Sequence, residues 1–353
     1  MPATSQSNNA EDLDAIQQHV WNARLPLEIR LSASESRVYD QSDPYVISFP
    51  RLAYLPFLLP RLLNHFAEEL ITDIETISPD TGFFTFDGVP LKWHLPVGLL
   101  YDIYVLSTQD VDHHDPERST TFDRKAPPFR LEVHFSQSST SAPHLNLLGP
   151  APAVVHDSFI NSVKEADFLR SGTAKPIMSL SAADSTLLWR STRENDLSVF
   201  SRIHASLLPT NMPWRNIPLR LYLPSTNANR QNDAESTVTT ETDTEQPKVI
   251  PTGSQPQGQI RVIQSQIPPY SSASTAPTTT QLRLPSSGQG TPQTLGTALH
   301  SLLPGLFPSR RTPILAKPLL HGAPIPMNAV LEEVASKACY ADGWVNIVIA
   351  ITG

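Results

Sequence analysis

The first 135 residues alternate between strand-like and helix-like patterns of hydrophobic positions. Residues 24–31 (RLPLEIRL) and 129–135 (FRLEVHF) alternate apolar and polar side chains, which is typical of half-buried strands. Residues 13–22 and 51–70 instead place apolar side chains three and four positions apart, which predicts helices. The remaining predicted elements are strands at 45–49 and 82–88 and a helix at 97–106. This order of elements favours a β-grasp domain, in which a mixed sheet covers one helix.

The pattern changes in the middle of the chain and then returns. Residues 154–170 and 181–208 carry apolar stripes at helical spacing and few strand signals, so we expect a small helical module there. The earlier order of strands and helices then repeats in the segments 216–223, 260–267, 294–303, 313–320, 327–338 and 344–351. The repeat is one of pattern only, because no sequence identity between the two halves is visible.

The predicted fold class is therefore α+β, with two β-grasp domains that flank a small helix-rich domain. Residues 225–259 and 271–292 are rich in Ser, Thr, Pro, Asn and Gln and poor in apolar side chains, so we expect them to be disordered inserts. The expected boundaries are a disordered N-terminus at 1–12, a first domain with its N-terminal helix at 13–150, the helix-rich domain at 151–212 and the second domain at 213–353.

Composition and charge exclude several classes of protein. Proline accounts for 34 of 353 residues, which disfavours coiled coils and helical repeats. The net charge of −8 is opposite in sign to the basic surface that most duplex-binding proteins use. The single cysteine, Cys339, excludes a disulfide framework and a structural zinc or iron–sulfur site. The longest apolar stretch, 52–63, is shorter than a membrane span and the N-terminus is polar, so we expect a cytoplasmic protein. Because of the net negative charge, we expect no nucleic-acid partner.

The search for catalytic and ligand-binding motifs is mostly negative, and no cofactor or metal is expected. The chain lacks the nucleophile elbow, the zinc-protease helix and the phosphate-binding loop. Gly288 and Gly290 lie in a low-complexity stretch, where a linker is favoured over a ligand site. A buried structural role for Cys339 is favoured over a thioester carrier. An exposed loop is favoured over a metal site for the run Asp112, His113, His114 and Asp115.

Two runs are the most distinctive in the chain. They are PLKWHLPVGLLYD at 90–102 and FINSVKEADFL at 159–169. Trp93 and the pair Leu99 and Leu100 of the first run are predicted to be core residues. In the second run Lys164 sits near the edge of a helix with Glu165 and Asp167 close by. From the residues alone, such a lysine is most often part of a solvated helix face.

These two runs, in their order and spacing, resemble the autophagy protein 5 family. The likeness extends to VW at 20–21 with RLP at 24–26, PRLAYL at 50–55, IPLRLY at 217–222, TLG at 294–296 and HG at 321–322. The resemblance implies two ubiquitin-like domains around a helix-rich one. It also implies that one lysine, the residue before Glu-Ala-Asp, is isopeptide-linked to the ubiquitin-like modifier autophagy protein 12. In this chain that residue is Lys164.

The resemblance further implies the partners. They are E1-like and E2-like conjugation enzymes and the coiled-coil protein autophagy protein 16, whose helix is expected between the ubiquitin-like domains and the helical module. The complex is expected to act like an E3 ligase with a second E2-like enzyme, which lipidates another ubiquitin-like modifier on preautophagosomal membranes. The chain itself is then a substrate and scaffold, in peripheral contact with the membrane. The alternatives are a noncovalent ubiquitin-fold adaptor and, least favoured, a transferase that uses Cys339.

Overall fold

The computed structural model describes residues 4–38, 42–107, 127–135, 151–208, 213–224, 260–271 and 290–351, with only the backbone for 4–12 and 224. The run 112–115, Gly288 and nearly all of the predicted inserts at 225–259 and 271–292 lie outside the described residues.

The first domain is a five-stranded sheet that packs against short helices. Its strands are β1 (Arg24–Leu31), β2 (Tyr45–Pro50), β3 (Phe83–Phe86), β4 (Val89–Pro90) and β5 (Phe129–His134), in the spatial order β2–β1–β5–β3–β4. The helices are α1 (Thr4–Asn22), α2 (Leu59–His65) and α3 (Val97–Tyr101). β1 is antiparallel to β2 and parallel to β5. The apolar residues of β1 all point to the helix side and are buried, which confirms the predicted alternation.

The helix-rich domain follows, with α4 (Pro152–Ser171), α5 (Lys175–Met178), α6 (Ala182–Glu194) and α7 (Leu197–Leu207). The single predicted stretch 181–208 is divided because Asn195 adopts a left-handed conformation (φ 58°) that ends α6. Asp196 then caps α7 by accepting hydrogen bonds from the backbone amides of Ser198 and Val199.

The second domain repeats the topology of the first. Its sheet has the order β11–β10–β12–β6–β7, built from β6 (Ile217–Pro224), β7 (Ile260–Ile267), β10 (Ala316–Leu320), β11 (Ala323–Pro324) and β12 (Val345–Ile351). The other elements are α8 (Leu295–Leu302), α9 (Leu331–Lys337) and a small pair formed by β8 (Tyr270–Ser271) and β9 (Thr291–Pro292). The first and last long strands, β6 and β12, are again parallel, which confirms two β-grasp domains of one design.

The structure corrects several predicted elements. The helix predicted over 51–70 is divided at Pro56 and Pro60, as these prolines predict, into a 3₁₀ turn (Leu55–Leu58) and α2, but α2 ends at His65 and is shorter than predicted. α1 begins at Thr4, so the expectation of disorder over 1–12 is wrong for the backbone from Thr4 onward. β4, β11 and α5 were not predicted, since two to four residues are too few to show a period.

Equivalent tight turns connect β3 to β4 and β10 to β11. Their central residues are Asp87–Gly88 and His321–Gly322, and all four have positive φ. Two such residues in succession match the right-handed twist of a hairpin. The Asp-Gly turn was predicted from the sequence, whereas the His-Gly turn was not.

One hydrophobic core continues through all three domains. Trp21, just before β1, contacts Phe200 of α7 with ring centroids 4.5 Å apart. Trp189 of α6 lies 5.3 Å from Phe159 of α4 and 6.3 Å from Tyr54 of the first domain. The helix-rich domain is therefore packed between the two sheet domains and held by both.

Candidate functional site

Lys164 lies at the margin of the inner face of α4, and that inner face is fixed to its neighbours. Val155, Phe159, Val163 and Ala166 of this helix are buried. Lys164 is half-buried, and no hydrogen bond or ion pair of its ammonium group is found with another described residue. The predicted placement of Lys164 at the edge of the apolar face is confirmed.

The residue after Lys164 binds the second ubiquitin-like domain. Glu165 accepts a hydrogen bond of 2.8 Å from Arg220 of β6, within an ion pair. The guanidinium of Arg220 lies over the ring of Trp344, 3.7 Å from its centroid, which fixes the arginine in place. The acid beside the lysine is thereby turned away from it.

A second set of contacts holds the preceding turn of α4. The hydroxyl of Ser162 donates to Asp342 at 2.7 Å, and the indole N–H of Trp344 donates to the Ser162 carbonyl at 3.0 Å. Arg220 also donates to the Ser162 hydroxyl at 3.3 Å. Burial raises the pKa of Asp342, while Arg220 and the Ser162 hydrogen bond act in the opposite direction.

The next two residues of the motif face inward. Ala166 packs with Leu169 and Trp344 in a small buried cluster, and a side chain at Gly343 would collide with Arg170. Asp167 is buried and accepts the backbone N–H of Ile177 at 3.0 Å, which ties α5 to α4. Glu165, Ala166 and Asp167 therefore seat the helix, and Lys164 is the residue of these four without a partner among the described residues.

A cleft of about 610 Å³ lies beside this helix, where the three domains meet. The first domain contributes Tyr54 and Trp93, α4 contributes Asn161 and Glu165, and the second ubiquitin-like domain contributes Arg220 and Val262. The sequence placed Trp93 in the core, but the structure places it half-buried at this cleft. The cleft is where the resemblance implies a partner helix.

Cys339 is buried and is unsuited to thioester chemistry. Burial raises the pKa of its thiol to about 11 despite the opposing charge of Arg170, so the thiolate is scarce at neutral pH. The Nε2 atom of its neighbour His204 lies 3.9 Å from Sγ of Cys339, and His204 is buried as well. The structural role predicted for this cysteine fits that environment.

Two histidines, the buried His204 and the half-buried His321, make stability depend on pH. Burial, then the charges of Arg170 and Lys337, lower the pKa of His204 to about 3. Burial also lowers the pKa of His321 to about 4, although its hydrogen bond to the Ala338 carbonyl acts in the opposite direction. Below the ordinary value of about 6.5 the unfolded chain binds protons before the folded chain does. The stabilisation is therefore complete above that pH and is lost as the pH falls toward the folded values.

We expect the free energy of unfolding to fall by up to about 1.4 kcal/mol per pH unit for each of His204 and His321 between about pH 6 and pH 5. His204→Gln, which removes one of the two, is expected to reduce their combined slope by about half. Urea unfolding followed from pH 7.5 to pH 5 measures the slope for both chains. An equal slope in the variant would show that His204 does not titrate on unfolding.

The other sequence motifs lead to no binding site within the described residues. No group of three or more metal-ligating side chains occurs among them. Gly290 has a steric role, because a Cβ there would lie 2.8 Å from the Cβ of Tyr270. None of the helices in the described ranges is long and apolar enough to cross a bilayer.

Comparison with known proteins agrees with this division of the chain. Family models described as "Autophagy protein ATG5" match residues 20–135 (UblA domain), 152–210 (alpha-helical bundle region) and 216–349 (UblB domain). The chain belongs to the autophagy protein 5 family. "Autophagy protein 5" of Aspergillus clavatus is 47% identical over 349 residues, which cover 98% of this chain and 99% of that protein. "Autophagy protein 5" of Neosartorya fischeri is 46% identical and is matched over the full length of both chains.

A solved structure shows the same fold. The crystal structure of Kluyveromyces marxianus Atg5 matches 95% of this chain and 99% of its own, with a TM-score of 0.63 at 17% sequence identity. Family membership gives the chain a role in autophagy and in conjugation partnerships generally.

Arg220 lies in the quoted IPLRLY run, but its part in seating α4 was not predicted, nor were those of Asp342 and Trp344.

Proposed function

We propose that this chain is a conjugation acceptor and scaffold, and that Lys164 is where a ubiquitin-like modifier, autophagy protein 12, is attached. The observation that carries this proposal is the seating of α4. Glu165 binds Arg220, Ala166 packs on Trp344 and Asp167 holds α5, so the half-buried lysine that precedes them lies at the margin of a fixed helix with its amine unpaired among the described residues. No described residue competes for its amine.

The reaction at Lys164 is acyl transfer from an enzyme-bound thioester. The neutral Nζ attacks the carbonyl carbon of the modifier's terminal glycine, the N–C bond forms, and the C–S bond breaks. The carrier's thiolate leaves and the amine proton passes to solvent. An ordinary lysine has a pKa of about 10.4, so the carrier enzyme must favour the neutral amine. The carrier also supplies the cysteine, since Cys339 is buried.

The alternative reading, a noncovalent ubiquitin-fold adaptor, differs in one observable. The proposal expects purified conjugation enzymes, ATP and the modifier to convert the chain to a larger species that survives both denaturant and reductant. An adaptor would give a complex that separates into its components in denaturant. A Cys339 thioester would instead be lost on reduction.

We propose that the three-domain cleft binds the amphipathic helix of the coiled-coil partner, autophagy protein 16. Trp93 and Val262 supply an apolar surface and Glu165 and Arg220 supply charge, a combination suited to a helix with one apolar face. The assembled complex would act on the second E2-like enzyme at the preautophagosomal membrane, with the chain as a peripheral component.

Val262→Asp tests the cleft. Val262 lies on β7 and is 42% exposed, so the change is expected to keep the fold and weaken binding of the partner helix about tenfold or more, because a carboxylate would face apolar partner surface. Val46→Asp is the matched control on β2, the equivalent strand of the first domain, where the side chain is 68% exposed. Titration calorimetry measures both affinities. Equal binding by the two variants would place the helix elsewhere.

A further inference from the structure

Phe168 is an exposed aromatic residue one helical turn beyond Lys164. Its side chain is 56% exposed, and it packs against neither of the hydrophobic clusters. Positions four apart lie on one face of a helix, with about 6 Å of rise between them. Phe168 and Lys164 therefore form one continuous surface.

The α4 carboxylates nearest this pair are bound to other residues. Asn161, one turn before Lys164, is exposed and uncharged, and Ile160 is half-buried. Glu165 turns to Arg220, and Asp167 turns inward to the backbone of Ile177. The side chains next to Lys164 on this face of α4, at a spacing of three or four residues, are thus an amide, part of an aliphatic side chain and an aromatic ring. A modifier attached at Lys164 could therefore bury apolar side chains here without removing water from an unpaired carboxylate.

We propose that Phe168 binds the segment of the modifier that immediately precedes its terminal glycine. This inference rests on the proposed attachment at Lys164. An extended chain spans about 3.3–3.6 Å per residue, so the second or third residue before the glycine reaches a ring one helical turn away. Because attachment makes the contact intramolecular, even a weak apolar interaction is populated. In the conjugate, the partner that covers Phe168 is the modifier and not the carrier enzyme, since the carrier departs when its thiolate leaves.

The first experiment compares single-turnover transfer from the charged carrier at concentrations below saturation. Phe168→Ser is expected to slow transfer to Lys164 about fivefold to tenfold, and Phe168→Leu, which keeps an apolar side chain, is expected to retain most of the rate. Ile71→Ser is the matched control, because Ile71 is a 60% exposed apolar residue of the first domain. Equal rates for the Phe168→Ser, Ile71→Ser and unaltered chains would overturn the proposal.

The second experiment asks what covers position 168 once the enzymes are gone. Phe168→Cys is reacted with a maleimide, free and as the purified conjugate with a cysteine-free modifier. Cys339 is the chain's only cysteine and is buried, so its background is low. Labelling is expected to slow about tenfold in the conjugate, whereas Ile71→Cys labels equally in both forms.

The outcomes separate the proposed contact at Phe168 from the proposed attachment at Lys164. Unchanged labelling of Phe168→Cys in the conjugate overturns the contact with the modifier, and slowed transfer beside unchanged labelling assigns the residue to the carrier instead. If the unaltered chain is never modified at Lys164, the proposed function fails, whatever the rates at position 168.

Discussion

Lys164→Arg is expected to abolish formation of the covalent conjugate while the chain stays folded. Arginine keeps the positive charge and the length of the side chain, but its guanidinium stays protonated at neutral pH and is no nucleophile. The Lys164 ammonium has no partner among the described residues, so its loss removes no observed contact. Gel analysis of a reconstituted conjugation reaction, with the melting temperature as the fold check, measures this result.

Lys175→Arg is the matched control. Lys175 is an exposed lysine on α5 of the same domain, and its replacement should leave conjugation unchanged. Efficient linkage of the Lys164→Arg chain at another lysine would contradict the assignment of the site.

Asp102→Ala is expected to destabilise the protein by about 3–5 kcal/mol, because it leaves Arg51 buried without its counter-ion. The side chains of Arg51 and Asp102 are 8% and 1% exposed and form an ion pair. Arg51 also donates to the Gly98 carbonyl at 3.2 Å, and it packs so closely on Gly322 that a Cβ there would lie 3.0 Å from Nη2 of Arg51. The pair thus joins the first ubiquitin-like domain to the His321–Gly322 turn of the second.

Urea unfolding at pH 7.5 measures this loss, since burial raises the pKa of Asp102 to about 6 and the carboxylate is charged above it. Arg51→Met combined with Asp102→Ala should cost less than the two single changes together, because no unpaired charge remains. Glu194→Ala, which breaks an exposed ion pair with Arg190, should cost less than about 1 kcal/mol. A similarly small loss for Asp102→Ala would show that the buried pair is not needed.

Much of the fold could be predicted because its long strands have strong alternation. The predicted bounds of β1 and β7 agree with the structure, and the parallel first and last strands follow from the β-grasp order. The short elements could not be predicted, because Val89–Pro90 and Ala323–Pro324 are strands only through pairing with a neighbour. The division at Asn195 depends on one left-handed residue, which helical periodicity does not reveal.

The candidate site was predicted only in part. Periodicity placed Lys164 at the edge of a helix, but only the family resemblance distinguished it from an ordinary surface lysine. The residues that seat the helix, Arg220, Asp342 and Trp344, are 55 to 182 positions away from their partners in the chain. Their contacts follow from how the domains pack, which one sequence does not show.

Mass-spectrometric mapping of branched peptides from the native protein tests the attachment site most directly. Proteolysis of the conjugate should yield one branched peptide in which the C-terminal glycine of the modifier is joined to Nζ of Lys164. A branch on a different lysine, with the Lys164 peptide always unmodified, would contradict the account.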